Sequence, residues 1–175
     1  MKNTLFGALL ALSILGLGQA PAALAASDGD LLIRLEVSKI VAQPGSETRQ
    51  TAATSRPGDT LEYRATYTNR NKAVTRDVEA TLPVPAGALV YLPDTARPAA
   101  VLASLDGKTF APVPLTRIVI QPDGTKAPQP VPYAEYRYLR WPLGDLAPGA
   151  AVTVRARMQV NADLSIATTR EEKQP

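Results

Sequence analysis

The sequence predicts an all-β protein, an antiparallel sandwich or barrel of about seven to nine short strands behind an export leader. Three observations carry this. Apolar and polar residues alternate with period two in several short segments, turn residues punctuate the chain at short intervals, and convincing helix periodicity is absent. The 175 residues include 16 Pro and 11 Gly, and neither Cys nor His. That length fits one domain. Without Cys or His there is no Ser-His-Asp or Cys-His catalysis, no disulfide, no Cys/His zinc site and no haem ligation by those residues. No cofactor is implied.

Residues 1–25 read as a secretory signal peptide. Lys2 supplies the positive charge, and the run 5–17 is apolar apart from Gly7, Ser13 and Gly16. Ala23-Leu24-Ala25 provides the small-x-small cleavage pattern, with cleavage expected after Ala25. A spanning helix wants about 20 apolar residues, and Gly16, Gly18, Gln19 and Pro21 cut this run short. The expectation is therefore export to the periplasm, the outer envelope or the medium, with no stable membrane anchor after cleavage. The mature domain is placed at 26–163 and a frayed, charged tail at 164–175. Removing Lys2 lowers the formal net charge from +3 to +2, and the basic residues are scattered, which excludes a nucleic-acid footprint. Thirteen arginines against six lysines are read as coding bias before function.

In the mature chain, Leu31, Ile33, Leu35 and Val37 alternate with Leu32, Arg34, Glu36 and Ser38, as in a half-buried strand. Residues 42–57, rich in Gln, Ser, Thr and Gly, read as a long loop. Arg56-Pro57-Gly58-Asp59 is a turn. In 60–69, Leu61, Tyr63, Ala65 and Tyr67 share one face, while Glu62, Arg64, Thr66 and Thr68 share the solvent face. Val78, Ala80 and Leu82 repeat the pattern, and Leu82-Pro83-Val84-Pro85 ends that strand, because proline removes ladder donors. Residues 88–92 are a short apolar segment. The run 101–110 reads as a hairpin around Asp106-Gly107. Residues 117–121 form another short strand, and 122–132, with four prolines, an extended polyproline connection. In 135–141 and just beyond, Leu139, Trp141 and Leu143 point one way and Tyr136, Tyr138 and Arg140 the other. In 151–160, Val152, Val154, Ala156, Met158 and Val160 point inward and Thr153, Arg155, Arg157 and Gln159 outward. The expected core therefore includes Leu61, Tyr63, Tyr67, Leu139, Trp141, Leu143, Val152 and Val154. One-sided alternation favours antiparallel sheets whose apolar faces cover each other.

Two segments resemble a known family. RPGDTLEYRATYTNRNKAVTRDVEATLPVPAGALVY is similar to the opening half of the bacterial conserved-repeat domain (domain of unknown function eleven). Its features are a Pro-Gly-Asp turn, a Thr-rich strand ending in Thr-Asn, and a second strand ending at Leu-Pro. LRWPLGDLAPGAAVTVRARMQV resembles the closing half, with Trp, Leu-Gly, Leu-x-Pro-Gly and a last alternating strand, and SLDGKTF resembles the Asp-Gly hairpin of single-copy members. The resemblance spans roughly residues 30–162. It implies an immunoglobulin-like sandwich in exported bacterial proteins and carries no catalytic residues. Tandem members act naturally as spacers; this chain holds one copy.

Candidate sites follow from side-chain chemistry. Tyr136, Tyr138 and Arg140, extended by Tyr133, have the composition of an interaction hot spot on an outward strand face. Arg155 and Arg157 form a basic stripe suited to anionic polysaccharide or lipid headgroups; a solvated face or edge-protecting charge is the plainer account. Trp141 reads as a core plug. The carboxylates are spread, and Asp28-Gly29-Asp30 falls short of a calcium loop, so no metal site is expected. Glu62, Glu79 and Glu135 could in principle serve a two-carboxylate glycosidase, but each occupies an outward strand position, and no phosphate loop, nucleophile elbow or Ser-x-x-Lys motif occurs. The expectation is a non-catalytic module at the bacterial cell envelope whose partner is an envelope protein or a surface glycan. A carbohydrate- or ion-binding domain is the alternative. The loops 42–57 and 122–132 are expected contact elements.

Overall fold

A computed structural model describes residues 24–28 and 31–162. The expected leader, apart from Leu24 and Ala25, and the expected tail lie outside the described residues, as does Asp30. The described chain is nearly all β, with antiparallel sheets packed face to face. It holds twelve strands rather than seven to nine; among the additions, Ser46–Thr51 and Lys126–Pro130 lie in segments expected as loops, and Leu24–Asp28 spans the expected boundary between leader and mature domain.

The larger sheet contains β1 (Leu24–Asp28), β2 (Leu31–Gln43), β3 (Ser46–Thr51), β4 (Thr60–Asn69), β6 (Leu89–Tyr91) and β12 (Ala151–Val160) in the order β1-β2-β4-β12-β6. The long β2 pairs with β4 along one edge; its other edge takes β1 over its first half and β3 over its second. The smaller sheet runs β5 (Thr75–Pro83), β11 (Tyr138–Leu146), β7 (Leu102–Ser104) and β8 (Ala111–Pro112). The last two long strands, β11 and β12, thus lie in different sheets. A separate hairpin consists of β9 (Thr116–Ile120) and β10 (Lys126–Pro130).

Between β4 and β12 the rungs alternate strictly. Leu61 faces Met158, Tyr63 faces Ala156 and Ala65 faces Val154 on the inner side. Glu62 faces Arg157, Arg64 faces Arg155 and Thr66 faces Thr153 on the outer side. Leu61, Tyr67, Leu139, Trp141 and Val154 are buried as expected, joined by Val78, Ala80 and Leu82 from β5. Tyr63, Leu143 and Val152 are half-buried and pack against this core. Leu143 departs from the expected alternation because the β11–β5 register shifts between Pro142 and Gly144, leaving it at the irregularity.

The turns that stood out in the sequence bind strand ends together. At Arg56-Pro57-Gly58-Asp59, the Asp59 carboxylate accepts from the Arg56 backbone N–H (2.7 Å) and pairs with Lys39 (2.7 Å). The Gly58 N–H donates to the Val160 carbonyl, tying the turn to β12. Asn69, fully buried, donates its side-chain amide to the Leu146 and Ala73 carbonyls and accepts from the Asn71 N–H. The Asn69 backbone also pairs with Gly149 and Ala150. The Thr-Asn strand end and the Leu-x-Pro-Gly turn are therefore halves of one hydrogen-bonded joint. Gly107 is required twice over: its φ is +75°, and a Cβ there would lie 2.9 Å from the Tyr138 ring.

Two expected loops are hairpins instead. Residues 42–57 contain β3, whose six polar residues carry no apolar alternation, because an edge strand lying over solvent need not bury either face. Residues 122–132 contain β10, with Pro128 opposite Ile118 and Pro130 opposite Thr116. The Gln121 N–H donates to Thr125 and the Val131 N–H to Leu115, so 121/125 and 115/131 are hydrogen-bonded pairs. By antiparallel alternation 119/127 and 117/129 are too, and the nitrogens of Lys126, Pro128 and Pro130 point away from β9. Proline costs no ladder bond at such positions.

Candidate recognition surfaces

The structure separates the residues expected to form one tyrosine-arginine patch. Tyr136 is fully buried. The period-two pattern does not extend back to it, because Tyr133–Glu135 form a 3-10 turn that re-aims Tyr136 into the space between the sheets. Its ring stacks on Tyr91 at 6.1 Å and meets Tyr133 edge-on at 5.2 Å. Its hydroxyl accepts the Leu115 N–H at 2.7 Å, closing the core where the β9–β10 hairpin departs. Burial pushes the Tyr136 hydroxyl above its ordinary pKa, and that of Tyr91 up to about 12. Tyr133 is half-buried against the same cluster. An exposed hot spot at Tyr133 and Tyr136 is thereby overturned.

Tyr138 and Arg140 do face outward from the smaller sheet, but neighbours occupy them. Tyr138 lies under the Gly107 turn. The Arg140 guanidinium sits 3.6 Å from the centre of the Phe110 ring, pairs with Glu79 at 3.1 Å and donates to the Thr81 hydroxyl.

Arg155 and Arg157 belong to a larger assembly on the outer face of the six-stranded sheet. At its centre is Glu62, only 3% exposed despite its outward position. The expectation of a solvent-facing Glu62 fails because arginines from three strands fold over it. Arg49 approaches to 3.0 Å, Arg64 to 3.2 Å, Arg157 to 3.5 Å and Arg155 to 3.7 Å. Burial by itself pushes the Glu62 carboxyl up. The hydrogen bonds from Arg49 and Arg64 and the charges of Arg49 and Arg155 outweigh it, so its pKa lies below the ordinary glutamate value. Arg157 also grips Glu47 through both terminal nitrogens, at 2.9 and 2.6 Å.

One rung along, the same face opens into a shallow cleft of about 340 Å³ lined by Arg64, Arg97, Pro98, Thr153 and Arg155. Arg97 is placed there by a two-way backbone bridge: its N–H donates to the Arg155 carbonyl and the Arg155 N–H donates back, each at 2.8 Å. The Trp141 indole N–H donates to the Pro98 carbonyl at 2.9 Å, so the core holds the cleft wall. Arg97 carried no sequence signal, since its segment has no alternation.

The β9–β10 hairpin is the other distinctive surface. Ile118 and Ile120 are 65% and 73% exposed. Because 117, 119 and 121 pair inward, the N–H and C=O groups of Thr116, Ile118 and Ile120 point away from β10, toward an edge with no strand beside it among the described residues. The opposite edge, on β10, lacks donors at Pro128 and Pro130. Arg117 braces the hairpin base by gripping Glu135 at 2.8 and 3.2 Å.

The three glutamates considered for glycoside chemistry occupy three different places. Glu62 lies under the arginines of the larger sheet, Glu79 on β5 of the smaller, and Glu135 in the 3-10 turn, each paired with arginine. Comparison with protein-family models, curated proteins and solved structures found no match to this chain.

Proposed function

We propose that this protein is a non-catalytic, exported β-sandwich module of the bacterial cell envelope that binds another protein through the β9–β10 hairpin. The observation that carries the reading is the pairing of two exposed isoleucines with an open strand edge on β9, while the β10 edge is closed by prolines. Such an edge accepts an extended segment of a partner by strand addition. Backbone hydrogen bonds supply affinity, and apolar side chains at alternate positions of the partner cover Ile118 and Ile120. The leader pattern and the resemblance to the conserved-repeat domain favour an envelope location. The non-catalytic reading is supported by the separate, arginine-paired positions of Glu62, Glu79 and Glu135.

Capture from a native envelope extract tests this. The full chain is expected to retain a specific protein, and Ile118→Asp with Ile120→Asp is expected to reduce that retention at least tenfold, on the order of a hot-spot loss. Unchanged Trp141 emission would establish that the double variant is folded. Equal retention by the folded double variant contradicts the hairpin reading.

A further inference from the structure

We propose that the Arg64–Arg97–Arg155 cleft is a binding site for a tetrahedral oxoanion, a phosphoryl or sulfuryl group, separate from the β9–β10 hairpin. The three arginines form one row across the sheet. Arg64 is the cross-strand partner of Arg155 on one side, and Arg97 is its bridge partner on the other. All three line the same cleft, with the Thr153 hydroxyl on the adjoining rung. Thr153 shares a hydrogen bond with Thr66 at 2.9 Å, which fixes its oxygen beside the row.

The charge in this row is incompletely answered. Glu62 is shared among four guanidiniums, and Glu47 is committed to Arg157. Glu36 is the cross-strand partner of Arg64 on its far side, and among the described residues it forms no ion pair with Arg64 within 4 Å. Arg155 touches Glu62 only at 3.7 Å and, among the described residues, makes no side-chain hydrogen bond. Arg97 has no carboxylate partner among the described residues; one terminal nitrogen donates to the Asp94 and Ala96 carbonyls, at 2.9 and 2.7 Å. That anchoring orients the guanidinium while its other N–H groups remain for a ligand. Guanidinium forks from two sides match an anion with several acceptor oxygens, and the Thr153 hydroxyl adds a neutral donor when it accepts from Thr66. A planar carboxylate offers two oxygens and can engage fewer of these donors at once, which favours the tetrahedral group.

The test is titration of the full chain at low ionic strength with inorganic phosphate, with sulfate and acetate as parallel arms. Saturable binding of phosphate and sulfate is expected, with acetate weaker and added chloride weakening all three. Arg97→Gln is the clean variant, because Arg97 makes no ion pair among the described residues and its loss leaves Glu62 covered. It is expected to weaken phosphate at least tenfold, as for loss of charge-assisted hydrogen bonds, and Arg155→Gln to do the same. Arg76→Gln, an exposed position on β5 of the other sheet, is expected to bind as the parent does. No saturable phosphate response, or affinity in folded Arg97→Gln and Arg155→Gln equal to the parent's, overturns the proposal. Preference for acetate overturns the tetrahedral assignment. Arg97→Gln leaves the hairpin intact, so its protein capture separates failure of this site from failure of the hairpin reading.

Discussion

Trp141→Ala is expected to lower the unfolding free energy by about 4 kcal/mol, the range for deleting a large aromatic from a packed core. Trp141 is 1% exposed and inward on β11, directly opposite Ala80, a side chain too small to fill the space it would vacate. The inner faces of β4 and β12 close the seam from the other sheet. In a domain of this size the loss corresponds to a fall in midpoint of roughly 10 °C. Trp141→Phe separates two contributions. It keeps most of the bulk but loses the indole N–H to Pro98, and is expected to cost about 1–2 kcal/mol. Urea denaturation followed by circular dichroism measures both. A Trp141→Ala loss below about 1 kcal/mol would mean that Trp141 is not the centre of a close-packed seam.

The second large effect belongs to Glu62. Glu62→Ala leaves Arg49, Arg64, Arg155 and Arg157 converging on a site without its counter-charge; because these arginines are a quarter to a half exposed and can be hydrated, a loss of about 2 kcal/mol is expected, the range for hydrogen bonds to a charged group. The pH dependence has a definite sign. The folded-state pKa of Glu62 lies below its unfolded value of about 4.3. Its contribution to stability is therefore complete above that value and is lost as pH falls through the folded pKa. Stability curves of the parent and of Glu62→Gln are expected to differ most near neutrality and to converge on acidification below about pH 4. A stability difference between the two proteins that does not change with pH would contradict an ionised Glu62 at the centre of the arginines.

Much of the fold was legible because long central strands bury one face. Residues 60–69, 78–83 and 151–160 alternate, since each rung of β4–β12 and of β5–β11 must point either into the seam or out of it. The segments that depart from expectation lack that constraint. β3 lies at an edge and shows polar residues on both sides. β10 hides a strand within prolines, because the missing donors face away from its partner. Tyr136 departs from strand parity because a 3-10 turn precedes it, where backbone direction and not alternation sets the side chain. At the candidate sites, the outward phase of Arg155 and Arg157 was readable and their partners were not. Glu62 and Arg49 meet across β2, which separates their strands, and Arg97 reaches β12 through a single bridge. Such long-range neighbours leave no local trace in one sequence.

Function by strand addition requires a rigid sandwich that presents β9 with one edge open. Residue-resolved amide exchange in the full chain tests it most directly. Arg117 and Val119, whose N–H groups face β10, are expected to exchange slowly, and Thr116, Ile118 and Ile120, whose N–H groups face outward, to exchange at rates close to those of an unstructured chain. Protection of Ile118 and Ile120 equal to that of Val119 would mean that the edge is already covered, and would contradict the account.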